Sequence, residues 1–136
     1  FDKEKSKVIP SLIRKIVEKQ NPLEVWGDGK DLKDFLYIED FCNAVIKIIK
    51  KKSIDDLYNI ASGRAVTINQ IISILLKIEK LKNIKIKYDT SKPTMIPKRL
   101  ININKAKKKI GIINKTSINI GLEKTLKWYK GKYDHI

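Results

Sequence analysis

Residues 26–40 read Trp-Gly-Asp-Gly-Lys-Asp-Leu-Lys-Asp-Phe-Leu-Tyr-Ile-Glu-Asp, and their reading decides the fold. Gly27 and Gly29 can adopt the positive φ that a tight reversal needs, and Asp28 between them is a turn former. The apolar residues on either side, Leu23 to Trp26 and Phe35 to Ile38, read as short strands. They form either a hairpin or two strands joined by a phosphate-facing loop. Glu39 and Asp40 then open a helix, because carboxylates suit the amino end of a helix dipole. Phe41, Ala44, Val45, Ile48 and Ile49 recur at the spacing of its buried stripe, and Lys50-Lys51-Lys52 suit its carboxyl end.

Upstream, Ile9, Leu12, Ile13, Ile16 and Val17 recur at helical spacing, with Pro10 in a first turn where its missing N–H is harmless. That helix should end near Asn21-Pro22. Downstream, Asp56 to Ala61 reads as a strand and Ser62-Gly63 as a turn. Thr67 with Gln70 forms a capping box for a helix carrying Ile71, Ile72, Leu75, Leu76 and Ile78. Ile84, Ile86 and Tyr88 alternate with Lys85 and Lys87, the period of a half-buried strand. The prolines make residues 91–97 an ordered loop. Leu100 to Ile103 reads as a short strand, Asn104 to Ile110 as a lysine-rich helix stopped by Gly111, and Ser117 caps a last helix bearing Ile118, Leu122, Leu126 and Tyr129. The expected class is α/β, helices with a few short strands, over a single domain at 1–136. Three or four strands without a βαβ repeat do not complete a doubly wound sheet, so open strand edges are expected.

The formal charge is +15, but only Arg14, Arg64 and Arg99 among the 30 basic residues are arginine. Nucleic-acid readout favours the bidentate fork of arginine, and Trp26, Tyr37, Tyr58 and Tyr88 fall on separate elements. The composition therefore argues against a nucleic-acid surface, and a basic binding module without catalysis is the competing class. Cys42 is the only cysteine and sits among apolar residues, which reads as a buried thiol in a reducing compartment. No apolar run approaches the roughly 20 residues of a membrane span, so no membrane partner is expected and the cytoplasm is the expected location. His135 is the single histidine and reads as part of a frayed tail, which leaves no metal site.

Seven segments carry a resemblance. They are Phe1-Asp2, Ser6 to Lys15, Val25 to Gly29, Lys33 to Asp40, Tyr58 to Gly63, Lys92-Pro93 with Pro97-Lys98-Arg99, and Ser117 to Gly121-Leu122 with Thr125 to Trp128-Tyr129. In order and spacing this resembles the carboxyl-terminal, substrate-binding part of extended short-chain dehydrogenases, the NAD-dependent epimerase/dehydratase family, and within it the GDP-L-fucose synthase branch. The resemblance implies a nucleotide sugar as ligand, a GDP-sugar by preference with another NDP-sugar epimerase or dehydratase as the alternative, and an upstream Rossmann domain that holds NADP or NAD. No cofactor is expected on this part. The family's glycine-rich dinucleotide turn has no counterpart here, and Tyr129 to Tyr133 does not supply its Tyr-x-x-x-Lys pair, so the chain alone should not turn over substrate.

By the same resemblance the substrate-binding positions are Val8, Lys15, Trp26, Lys33 and Arg99: cations for a diphosphate and a flat ring for a base. A core tryptophan and solvated lysines are the bland alternatives for these residues. Lys7 stands at the family's catalytic histidine, where an ordinary lysine exchanges protons poorly near neutrality. Lys33 replaces the family's usual arginine, a point charge in place of a fork. Phe35 to Ile49 and Asp56 to Ala61 pack on the dinucleotide domain in this family. Without it, their apolar faces should be exposed and drive self-association.

Overall fold

A computed structural model describes residues 6–51, 56–92, 96–112 and 114–133. Phe1-Asp2, Lys52, Pro93 and His135 lie outside the described residues. The element order is α1 (Val8–Val17), β1 (Leu23–Trp26), β2 (Leu32–Asp34), α2 (Ile38–Lys50), β3 (Ala65–Thr67), α3 (Ile68–Ile78), β4 (Ile86–Asp89), β5 (Lys98–Arg99), α4 (Asn104–Ile110) and α5 (Ile118–Tyr133).

The core is built on α3. Ile68, Ile71, Ile72 and Leu75 are buried against Leu12, Ile13 and Ile16 of α1, Leu23 and Val25 of β1, and Leu122, Leu126 and Tyr129 of α5. The expected stripes of α1, α3 and α5 are those that form it. α3 starts at a complete capping box, with Thr67 Oγ1 accepting from Gln70 N and Gln70 Oε1 accepting from Thr67 N. α4 ends where expected, because Gly111 takes the left-handed conformation at φ +70°. Ser117 Oγ accepts from Ile120 N at the start of α5.

The strands depart from expectation. β2 covers Leu32–Asp34 rather than Phe35 to Ile38, since its register is set by partners elsewhere: it pairs antiparallel with β3 and parallel with β5. β1 pairs in parallel with β4, so β1 and β2 lie in different sheets and no hairpin forms. The strand expected at Leu100 to Ile103 lies earlier, at Lys98–Arg99, where β2 offers a partner. Leu57 to Ile60 form no strand, because no described strand pairs with them. Among the described residues β4 has one partner, and both Ile86 and Tyr88 are exposed rather than half-buried.

The largest departure is α2. Its expected stripe is not buried: Ala44 is, but Phe41 and Ile49 are exposed, Ile49 at 76%. Cys42 is exposed for the same reason, the surface of α2 being largely uncovered. Ile38, in the first turn of α2, and Leu57, 89% exposed, are further uncovered apolar residues. Asp40 is buried instead, and its carboxylate accepts from Lys115 N and Thr116 N in the loop before α5. Asp34 does a similar job at the end of β2, accepting from Ser62 N and Gly63 N, both at 2.9 Å. Among the described residues no helix is long and apolar enough to cross a membrane.

Thr67→Ala removes one side of the capping box and should lower stability by about 1 kcal/mol. Leu75→Ala opens a cavity at the centre of the core and should cost about 3 kcal/mol. Urea unfolding followed by circular dichroism checks both.

Candidate functional site

α1 presents one polar face. Lys7, Ser11 and Arg14 follow each other at helical spacing, with Lys15 beside Arg14, so four polar residues of one short segment look the same way. β1 runs alongside and ends at Trp26. Between them lies a cleft of about 690 Å³ whose wall includes Lys7, Val8, Arg14, Lys15, Glu24 and Trp26. Lys15 Nζ donates to the Glu24 carbonyl at 2.8 Å. Burial pushes the Lys15 ammonium below the ordinary lysine value; Glu24 acts against this and Arg14 adds to it. Trp26 is 60% exposed at the mouth, with the Lys92 ammonium 5.6 Å from its ring centroid.

The turn after Trp26 is clamped from both sides. Gly27 N donates to the Asp89 carbonyl at 2.8 Å, and Asn69 N, in the first turn of α3, donates to the Gly29 carbonyl at 2.9 Å. Gly29 has φ +73°, and a Cβ there would come within 1.9 Å of Asn69 Oδ1, so another residue would be strained and would push the Asn69 side chain aside. A second cleft of about 370 Å³ opens beneath the turn, lined by Asp28, Lys30, Asp31, Lys92 and Pro97. Lys33 and Arg99 face each other as register partners on β2 and β5. Lys33 is held back: it pairs with Asp31 at 3.0 Å and donates to the Ile96 carbonyl.

The structure thus gathers Lys7, Val8, Lys15 and Trp26 around one cleft. Lys33 and Arg99 sit on the neighbouring sheet at the far end of the glycine turn, and Lys92 lines the second cleft while its ammonium lies over Trp26 of the first. Arg14 and Lys92 stand in the walls of these clefts without having been expected there. The seven-residue step from Lys7 to Arg14, two helical turns, is the signal that could have found the first.

A Tyr-x-x-x-Lys spacing does occur, at Tyr88 and Lys92. It straddles the end of a strand rather than one helical turn, Tyr88 Oη donates to Asn69 Oδ1 at 2.8 Å, and Lys92 turns to Trp26. The two do not form a proton-donating pair. Gly27-Asp28-Gly29 leads from strand to strand, whereas a dinucleotide turn leads from strand to helix. Among the described residues, neither this turn nor the Tyr88–Lys92 spacing is a dinucleotide-binding element.

Residues 1–61 match the NAD dependent epimerase/dehydratase family. The chain is 35% identical over 129 residues to a GDP-L-fucose synthase of Sinorhizobium fredii, covering 92% of this chain and 40% of that protein. It is 30% identical over 134 residues to a GDP-L-colitose synthase of Yersinia pseudotuberculosis, covering 95% and 43%. A UDP-glucuronic acid 4-epimerase from Bacillus cereus, solved with UDP-glucuronic acid and NAD, superposes with a TM-score of 0.85 at 28% identity, covering 94% of this chain and 41% of that one. The resemblance to this family is borne out, and the fold is that of a part of these α/β enzymes. The chain spans about 40% of the length of such relatives.

Anion binding in the first cleft should depend on Lys15 in its ammonium form. Because its pKa is lowered, affinity is full at neutral pH and is lost as pH rises, beginning below 10.5. Lys15→Arg, which stays protonated, should move that loss to higher pH in a calorimetric pH series.

Proposed function

We propose that this chain is the nucleotide-sugar-binding domain, over 1–136, of an NAD(P)-dependent epimerase or reductase, with a GDP-sugar as its preferred ligand. The observation that carries this reading is the cleft in which an exposed tryptophan stands beside Lys7 and Lys15. A base stacks on the open Trp26 ring, Lys7 and Lys15 neutralise the diphosphate, and Val8 supplies apolar contact. Lys33 and Arg99 hold the far end of the ligand from the neighbouring sheet. The similarity to GDP-L-fucose and GDP-L-colitose synthases supports guanosine over uridine.

In the parent enzyme the work of this domain is positioning. Holding a sugar keto group at a fixed place relative to a hydride donor removes orientational freedom from the reacting pair. Lys7, at the position of the family's histidine, binds the ligand's charge rather than exchanging a proton. NAD(P) and the groups that use it are assigned to sequence beyond this domain. There they supply hydride transfer at the sugar. The exposed apolar face of α2 and the unpaired Leu57 to Ile60 segment are the surface that the rest of the parent covers.

Titration of the chain with GDP, UDP and single-stranded DNA over a range of salt tests the reading. GDP should bind more tightly than UDP, and Trp26→Ala should weaken GDP about tenfold. Tight, steeply salt-dependent DNA binding without nucleotide preference would establish the competing basic module instead. The uncovered face should also make the isolated chain self-associate. Phe41→Lys with Ile49→Lys should shift its sedimentation profile to monomer.

A further inference from the structure

Arg14 lies in the wall of the cleft between α1 and β1, and nothing above gives it a role. Its side chain is 13% exposed, and Nη1 donates to Glu18 Oε2 at 3.1 Å, one helical turn away. Among the described residues, Nε is buried without a hydrogen-bond partner. In a planar guanidinium, Nε–H shares an edge with Nη2, while Nη1 lies on the other side. The bond to Glu18 therefore leaves untouched the side-on fork that matches an oxyanion. A buried donor without an acceptor is unfavourable. Glu24, the acidic residue of the cleft, gives its carbonyl to Lys15, and among the described residues Arg14 has no ion pair except with Glu18. That pair joins neighbouring turns of one helix at the surface, and such pairs hold weakly.

We infer that Arg14 is a further ligand-binding residue of this cleft, its side-on fork taking an oxyanion of a diphosphate whose charge Lys7 and Lys15 share. The inference rests on the reading of the cleft as a nucleotide-sugar site and deepens it. Three cations at helical spacing, Lys7, Arg14 and Lys15, face one cleft that holds a single carboxylate-bearing side chain. A monoanion needs fewer. The fork adds geometry that the two ammonium groups lack, fixing the direction of the phosphate chain away from Trp26.

Isothermal titration with pyrophosphate, GDP and guanosine, on the chain and on its Arg14→Lys and Glu18→Gln variants, tests this, with thermal unfolding run alongside. Arg14→Lys keeps the charge and removes the fork, so pyrophosphate and GDP should each bind about tenfold more weakly, and guanosine unchanged. Glu18→Gln frees the guanidinium and should bind pyrophosphate as tightly as the parent chain or more so. Unchanged pyrophosphate binding in Arg14→Lys overturns the inference. So does an equal loss in Glu18→Gln, which would make the arginine a support of its helix. If GDP binds but ignores Arg14, the cleft reading stands and this one falls. If pyrophosphate binding depends on Arg14 and GDP gains nothing over it, the nucleotide reading falls and this one stands. Failure of both ligands to bind removes both.

Discussion

The α1–β1 cleft is placed by the burial of α3. Four of its side chains are sequestered between α1, β1 and α5, and α1 and β1 then carry the residues that line the cleft. α1 turns Lys7 and Lys15 away from the core, β1 ends at Trp26, and the amino end of α3 grips the glycine turn through Asn69. Apolar burial is directionless. Here the helical period converts it into direction, since packing one stripe of α1 leaves its cationic face nowhere to go but the cleft.

Two carboxylates tie the outlying parts to this centre. Asp34 gathers the backbone N–H groups of Ser62 and Gly63, and Asp40 those of Lys115 and Thr116. These charge-assisted bonds join segments distant in sequence. They fix the entry to β3 and to α5, and so hold the halves of the core in register. Sequence reading took Asp40 as a helix opener, which accounts for its place in the first turn of α2 but not for its burial.

What could be read in advance was what local chemistry decides. The capping box at Thr67, the glycine stop of α4 and the serine before α5 are interactions between residues a few positions apart, and all three stand where expected. The strands were shifted because their boundaries depend on partners. Lys33 is a strand residue since Val66 and Arg99 flank it, and neither neighbour is visible from residues 26–40. Cys42 was misjudged on a premise sound in itself: an apolar stripe is normally covered. Arg14 went unremarked because an arginine beside a lysine on a basic chain looks like surface until its burial is seen.

The chain has a second, thinner cluster, Ala44, Ala106 and Ile112, between α2 and α4. Little apolar area joins the two helices there. Lys47 and Lys51 instead reach across to the carbonyls of Gly111 and Lys109 at the end of α4. Ammonium hooks of this kind bridge two helices without sealing water out. α4 and its partner should therefore open to amide exchange before α3 does. The cleft between α1 and β1 is built on the larger of the two clusters, the one with more apolar burial behind it.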